Sequence, residues 1–212
     1  MDILYADEKL VVCLKTPGLL STDEPGGMPS LLRRALQTET IYTVHRLDAA
    51  VGGVMVYART RHAASDLGRE IRTGEFYKEY RAVVSAGLPE DGGILRDLLW
   101  RDTRRRVTRV AARPGPGVQE AELEYKVLAL REGLSLVKIV LHTGRTHQIR
   151  CQFASRGWPL WGDGKYGAAE EGPIALWSCA LGFVHPATGE RMDFAAPPPA
   201  IEPWTLFTGE EL

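Results

Sequence analysis

The stretch Leu141-His142-Thr143-Gly144-Arg145-Thr146-His147-Gln148-Ile149-Arg150 joins a strand-like run to a helix-like one. The apolar residues 134–141 predict a buried strand. From Thr146 onward the spacing predicts a helix, which Gly157 and Pro159 would end. Outside this stretch, alternating or apolar runs predict further strands at 3–5, 10–14, 54–58, 77–85, 95–110, 122–130, 176–184 and 191–195, and helical spacing recurs at 61–72. Because strands predominate and few helices are interspersed, we expect an α+β fold with a mostly antiparallel mixed sheet flanked by helices and loops.

The predicted helix carries basic residues where helices usually carry acids. Arg145, His147 and Arg150 would crowd its first turn, where the backbone dipole disfavours each cation by about 0.3–1 kcal/mol. Such a violation is typical of a functional site, and free amides beside arginines bind anions well. We therefore predict a site for an anion, which is a phosphate, a carboxylate such as Asp48, or both.

Asp48 itself lies in a glycine-flanked loop between two apolar runs, directly after His45, Arg46 and Leu47. Taken alone, a turn aspartate is more commonly structural than functional. Tyr80 lies in an alternating strand-like run, where tyrosines usually pack. Asp48 gains a functional interpretation only beside the basic stretch described above, and Tyr80 is interpreted as a packing residue unless a family resemblance assigns it another role.

Charge is unevenly distributed along the 212 residues, whose net charge is −1. Between Trp100 and Arg113 six arginines accompany a single acid, Asp102. A basic patch on an otherwise acidic protein predicts a polyanionic partner, with a solvated loop as the alternative. The early acids argue against a signal peptide, no apolar run approaches the roughly 20 residues of a membrane span, and the three cysteines are scattered. We expect one domain, residues 1–212, in the cytoplasm and away from membranes.

Two motif-like features predict no cofactor. Residues 162–167 match the glycine pattern of dinucleotide loops, but Pro159 precedes them and Pro173 follows, so we interpret them as a turn. His142 and His147 are five residues apart and do not share a helix face, so a metal site is not predicted.

Five segments, in order, resemble motifs of the RluA-type family of RNA pseudouridine synthases. They are His45-Arg46-Leu47-Asp48, Lys78-Glu79-Tyr80, residues 143–150, residues 162–167 and residues 185–190, and the opening residues 3–18 are also similar. The resemblance covers nearly the whole chain and implies the pseudouridine synthase catalytic fold. Because the catalytic pattern begins at residue 3, we expect no separate N-terminal RNA-binding domain.

The resemblance also implies roles for individual residues. Asp48 corresponds to the catalytic aspartate, Tyr80 to the tyrosine that packs on the target base, and Arg145 to the arginine that pairs with the aspartate. Ile149 corresponds to an aliphatic wall of the base pocket and Arg46 to the side chain that fills the RNA stack once the uridine has left. The stretch 101–113 is similar to an RNA-clasping loop. The set of residues expected to bind RNA is His45, Arg46, Arg104, Arg105, Arg106, His147, Ile149 and Arg150.

The implied reaction isomerises uridine to pseudouridine in structured RNA, a ribosomal or transfer RNA stem-loop. It involves no redox change, so we expect no metal, nucleotide or other cofactor, and we expect a monomer. The chain departs from the family pattern at Val51-Gly52-Gly53, where Thr-Ser-Gly is usual, at Trp177, where histidine is common, and at Pro17, which is shifted by one. The missing hydroxyls put supporting hydrogen bonds of the aspartate loop in question.

Two other functions fit parts of the sequence. A catalytically silent RNA-binding module of the same fold would use the basic patch, but would not need Asp48, Tyr80 and Arg145 together. A metal-dependent RNA hydrolase would shorten the RNA and would be inhibited by a chelator.

Overall fold

A computed structural model describes residues 2–209 and 211. The strands are β1 (Ile3–Ala6), β2 (Leu10–Lys15), β3 (Tyr42–Thr43), β4 (Gly52–Ala58), β5 (Tyr77–Val84), β6 (Gly92–Asp102), β7 (Val107–Val110), β8 (Val118–Arg131), β9 (Leu134–Leu141), β10 (Leu176–Val184) and β11 (Arg191–Ala195). The α-helices are α1 (Met28–Leu36), α2 (Arg61–Thr73) and α3 (Gln148–Ala154), and single 3-10 turns form at Gly164–Tyr166 and Trp204–Leu206. The predicted α+β class is confirmed.

The chain divides into two compact units. The first unit is Met1–Lys78 with Ser178–Pro197, and the second is Glu79–Trp177 with Pro198–Leu212. The expectation that residues 1–212 act as one catalytic domain stays a prediction.

The first unit is built on strands in the order β1, β2, β4 and β10, with β3 beside β4 and β11 beside β10. Its β1·β2, β2·β4, β3·β4 and β10·β11 pairs are antiparallel. Helix α2 begins after Thr60, whose side chain accepts a hydrogen bond from the Ala63 N–H, and ends at the left-handed Gly74. Its apolar face packs on the sheet in a core that includes Leu67, Phe76 and Phe183.

The second unit has the antiparallel order β5, β9, β8, β6, β7, which places β7 at an edge. Helix α3 lies against β6 and β7, where Leu99, Ala121 and Cys151 form a small buried cluster with Tyr166 packed against it. The glycine-rich residues 162–167 form a turn, as interpreted from the sequence.

Two sequence-based boundaries are wrong. The run 95–110 is two strands, because Asp102 accepts a hydrogen bond from the Arg105 N–H (2.9 Å) and Arg106 adopts a left-handed φ of 54°. Helix α3 begins at Gln148, because His147 is also left-handed, with a φ of 53°. Arg145 and His147 therefore precede the helix, and the predicted crowding of cations in its first turn does not occur.

Candidate active site

The loop that carries Asp48 is held from inside by Lys15. Lys15 is the last residue of β2 and is fully buried. Its Nζ donates hydrogen bonds to the carbonyl oxygens of Val51 (2.7 Å), Ala49 (2.9 Å) and Thr16 (3.3 Å). The Val51 N–H in turn donates to the Asp48 carbonyl (3.0 Å) and closes the turn. One ammonium group thus links the second and the last residue of the turn, and Asp48, the first residue of the turn, is half-buried.

Burial lowers the pKa of Lys15 to about 8, and the nearby charge of Asp48 acts in the opposite direction. At pH 7 the side chain is therefore still an ammonium ion and donates to the loop. Lys15 lies within the opening residues 3–18 that resemble the family, but the sequence alone assigned it no role. A lysine at the end of an apolar strand was the available signal, since lysine is almost never fully buried without a partner.

Ser21 fixes the same loop through Leu47, the residue before Asp48. Its hydroxyl donates to the Leu47 carbonyl (2.8 Å) and accepts from the Leu47 N–H (3.2 Å). The Tyr57 hydroxyl donates to the Ser21 carbonyl (3.0 Å) and anchors this contact in the core. The hydroxyls that are missing at positions 51 and 52 are thus not the only means of fixing the loop, because Lys15 and Ser21 bond its backbone directly.

Gly53 follows the loop at a position that a side chain could not occupy. Its φ is +123°, and a Cβ atom would lie 2.2 Å from the Ser178 carbonyl oxygen. The close approach of these two backbones explains why glycine is needed here.

His45 is oriented by two contacts in the first unit. Its Nε2 accepts a hydrogen bond from the Val56 N–H (3.1 Å), and its ring lies on Phe76 with centroids 5.6 Å apart. Burial, with the charge of Lys78 acting in the same direction, lowers the pKa of the imidazole to about 3. His45 is therefore neutral, and its assignment to the residues that bind RNA stays a prediction. Arg46, the next residue, is exposed.

In the second unit, Gln148 organises the segment that carries Arg145. The buried Gln148 side chain accepts from the Arg145 N–H (2.9 Å) and from the Thr143 hydroxyl (2.8 Å), and it donates to the Glu122 carbonyl of β8 (3.1 Å). The Arg145 guanidinium donates through Nε to the Glu120 carbonyl (2.9 Å), a bond that does not use its two terminal amino groups. The segment is thus tied to the sheet through backbone and amide groups.

Tyr80 and Ile149 are both buried, with 5% and 4% of their surfaces exposed. Tyr80 lies on β5 opposite Ile139 of β9, and Ile149 lies in the first turn of α3. Both are therefore on regular elements that fix the backbone of each residue.

Arg150 lies inside the second unit. It forms a two-pronged ion pair with Asp163, with Nε–Oδ2 and Nη2–Oδ1 distances of 2.7 and 2.8 Å, and the two side chains are 6% and 1% exposed. Its guanidinium also lies 5.1 Å from the centre of the Tyr166 ring. That geometry does not fit the expected contact between Arg150 and RNA, and we leave Arg150 out of the proposed RNA-binding set.

His147 lies where α3 meets the β6–β7 hairpin. The Tyr166 hydroxyl accepts from the Thr108 N–H (2.7 Å) and lies 2.9 Å from His147 Nδ1, and Arg101 Nη1 approaches the same nitrogen at 3.5 Å. Arg104, Arg105 and Arg106 form the exposed turn of the hairpin. Three adjacent exposed guanidinium groups on one turn can bind phosphates.

Within the residues 2–209 and 211, no cluster of three or more His, Cys, Asp or Glu side chains is arranged to hold a metal ion. No helix in the same part of the chain has the length and apolar character of a membrane span.

Comparisons with known proteins identify relatives that match most of the chain. A family model described as RNA pseudouridylate synthase matches residues 9–155. The chain is 33% identical over 216 residues to an uncharacterized RNA pseudouridine synthase, YhcT, of Bacillus subtilis, covering 94% of this chain and 69% of that protein. It is 35% identical over 205 residues to the dual-specificity RNA pseudouridine synthase RluA of Yersinia pestis, covering 92% of this chain and 97% of that protein.

Two further similarities concern a longer relative and a solved structure. The ribosomal large subunit pseudouridine synthase D of Neisseria meningitidis serogroup B is 31% identical over 221 residues, covering 94% of this chain and 58% of that protein. The structure of human RNA pseudouridylate synthase domain containing 1 superposes with a TM-score of 0.79 at 22% identity, covering 94% of this chain and 84% of that chain. The latter similarity concerns the fold.

Proposed function

The chain belongs to the RluA-type family of RNA pseudouridine synthases, and from this premise we propose that Asp48 is its catalytic carboxylate. The family membership makes it an enzyme that converts uridine in RNA to pseudouridine. The prediction of an enzyme, an RNA pseudouridine synthase, is thereby confirmed.

The observation that carries the proposal for Asp48 is the construction of its loop. A carboxylate that attacks or deprotonates a nucleotide must keep its position to well under 1 Å. Lys15 bonds the carbonyls of Ala49 and Val51, and Ser21 bonds both backbone groups of Leu47. The residue between these two anchors is Asp48, half-buried and on a backbone bonded on both sides.

Chemically, the enzyme breaks the bond between the uracil N1 and the sugar C1′, turns the base and forms a bond between C5 and C1′. N1 gains a proton and C5 loses one, so no electrons are supplied or removed. Asp48 starts this sequence either by adding to the nucleotide or by removing a sugar proton. The uridine must first leave the base stack, at a cost of a few kcal/mol.

Three residues of the second unit take the roles that the family resemblance implies. Tyr80 packs on the target base and takes part in proton movement, Arg145 pairs with the catalytic carboxylate, and Ile149 forms an apolar wall. Their burial and anchoring support these roles, since Tyr80 and Ile149 lie on regular elements and Gln148 fixes the backbone of Arg145.

For the RNA, we propose a structured stem-loop of ribosomal or transfer RNA. The exposed Arg46 and the hairpin turn Arg104-Arg105-Arg106 contact its phosphates and stack, and their exposure supports this assignment. The name of the Neisseria relative, a ribosomal large subunit pseudouridine synthase, supports a ribosomal RNA, and the name of the Yersinia relative states that it has a dual specificity. We also propose a monomer in the cytoplasm, where the three buried, free cysteines would stay reduced.

The test is tritium release from transfer and ribosomal RNA fragments labelled at uridine C5. The wild type should release tritium from at least one fragment, whereas Asp48→Asn should bind that fragment with unchanged affinity and release none. Asp66→Asn is the matched control, because it makes the same substitution on the surface helix α2 and should keep full activity. An active Asp48→Asn enzyme would refute the catalytic assignment, and inactivity of the wild type on both RNA classes would refute the proposed substrates.

A further inference from the structure

A cavity of about 410 Å³ opens on the second unit along the edge strand β7. All four residues of β7 line it, together with Cys151, Ala154 and Ser155 of α3 and with Lys165 and Tyr166. Its volume lies within the range of roughly 300–1,000 Å³ that is typical of small-molecule sites. It is therefore large enough for a ligand of nucleotide size.

The cavity differs from the base pocket implied by Ile149. Ile149 and Cys151 are two residues apart on α3, which is about 200° around the helix axis. Their side chains therefore point to nearly opposite sides of α3, and Cys151 is the one that lines the cavity. A ligand in the cavity would be a second group, additional to the base that reacts.

The charge around the cavity is positive. Arg109 and Lys165 line it and are exposed, and none of the described lining residues is acidic. Asp97, whose charge acts on the lining thiol of Cys151, and Asp163, two residues before the lining Lys165, each already have a partner. Asp97 pairs with Arg156 (2.9 Å) and Asp163 pairs with Arg150 (2.7 Å). The two lining cations are thus left to attract an anion from solution.

The edge of β7 adds a backbone donor. The Thr108 N–H points away from the sheet, since it donates to the Tyr166 hydroxyl. In an antiparallel strand, N–H groups two residues apart point to the same side, so the Val110 N–H also faces the cavity. The floor is less polar, because Cys151 is a buried thiol whose pKa burial raises to about 11, and Ala154 and the Tyr166 ring lie beside it. The site combines cationic donors with a surface suited to a flat, weakly polar group.

We propose that this cavity binds an unpaired nucleotide of the RNA substrate that lies outside the isomerised uridine. The phosphate contacts Arg109 and Lys165, and the base packs on the floor formed by Cys151, Ala154 and Tyr166. The location supports an RNA strand as the source of this nucleotide, because Arg106 in the hairpin turn precedes Arg109 by three residues, about 10 Å along the strand. The inference rests on the proposed RNA substrate and adds a contact that selects RNAs with an unpaired neighbour.

Binding measurements on two RNAs test the inference. One is a fragment that is turned over, and the other is the same fragment shortened to its stem and target loop. The double variant Arg109→Gln/Lys165→Gln should weaken binding of the long RNA about tenfold or more. It should also reduce the salt dependence of log Kd by about 0.7 for each lost contact to a single-strand phosphate. Affinity for the short RNA should stay as in the wild type.

Two further variants separate the contributions. Ala154→Phe fills the floor without changing charge and should weaken binding of the long RNA about fivefold or more, with an unchanged salt slope, because a stacked base contributes about 1–3 kcal/mol. Lys126→Gln removes one exposed cation elsewhere in the unit and should leave binding of both RNAs unchanged.

The inference would be overturned if the double variant lost the same affinity for the long RNA as for the short RNA. It would also be overturned if the double variant bound both RNAs with the same affinities as Lys126→Gln. An unchanged affinity of a folded Ala154→Phe protein would overturn it as well. Because these experiments measure Kd and not tritium release, they test whether the cavity binds a nucleotide even if Asp48 proves not to be catalytic.

Discussion

Breaking the buried pair between Arg150 and Asp163 should cost far more stability than breaking an exposed pair. In Asp163→Ala, the guanidinium of Arg150 stays in the interior, where 6% of the side chain is exposed, and loses two hydrogen bonds of 2.7 and 2.8 Å. Leaving one member of a buried ion pair without its partner destabilises proteins by about 3–5 kcal/mol. For a chain of this length, that loss lowers Tm by about 6–20 °C.

The measurement is the free energy of unfolding in urea at pH 7, followed by circular dichroism and by tryptophan fluorescence. Agreement of the two probes is needed, because two compact units need not unfold together. Asp193→Ala is the control, since it removes an arginine–aspartate pair of 3.0 Å in which the side chains are 47% and 65% exposed. That variant should lose at most about 1 kcal/mol.

A double variant shows whether the loss of stability in Asp163→Ala comes from the buried charge of Arg150 that has lost its partner. Arg150→Met/Asp163→Ala removes both charges and should recover most of the stability lost by Asp163→Ala, because buried pairs can be replaced by apolar groups at little cost. A loss below about 1 kcal/mol in Asp163→Ala, or a double variant no more stable than the single one, would refute the reasoning.

Two other predictions concern the loop of Asp48. The pKa of Lys15 falls from 10.5 to about 8 on folding, so the folded protein holds fewer protons than the unfolded chain between these pH values. Its stability should therefore rise through that window by about 3 kcal/mol relative to Lys15→Met, whose curve lacks this contribution. Urea unfolding of both proteins from pH 7 to 10.5 measures the difference, and parallel curves would contradict it. Gly53→Ala should lose at least about 3 kcal/mol, because a Cβ atom would overlap the Ser178 carbonyl as well as strain the backbone. Gly18→Ala, at a φ of +94° with no atom near the added carbon, should lose only about 1–2 kcal/mol, and equal losses in thermal or urea unfolding would argue against the overlap.

Local pattern was sufficient for the regular elements. The apolar runs that predicted β2, β4, β9 and β10 and the helical spacing that predicted α2 agree with the structure within a few residues. These elements have one face or both faces in the core, and burial imposes a period on the sequence. The turn at Arg106 and the start of α3 after His147 were missed because both residues are left-handed without being glycine. Beside these residues, Asp102 accepts a hydrogen bond from the Arg105 N–H, and the Tyr166 hydroxyl lies 2.9 Å from Nδ1 of His147.

The order of the motifs along the chain was likewise enough to indicate the family, because motif identity is a local property of the sequence, whereas the role of Asp48 stays a prediction. Burial is not local. Arg150 and the hairpin arginines are the same residue type and cannot be told apart in the sequence. In the structure, however, Arg150 is buried against Asp163, thirteen residues away, whereas Arg104, Arg105 and Arg106 are exposed. Lys15 became part of the site only because folding brings the carbonyl of Val51, thirty-six residues later, within 2.7 Å of its ammonium group. Whether a charge meets water, a partner or a backbone carbonyl depends on segments distant in sequence, and only the tertiary structure brings those segments together.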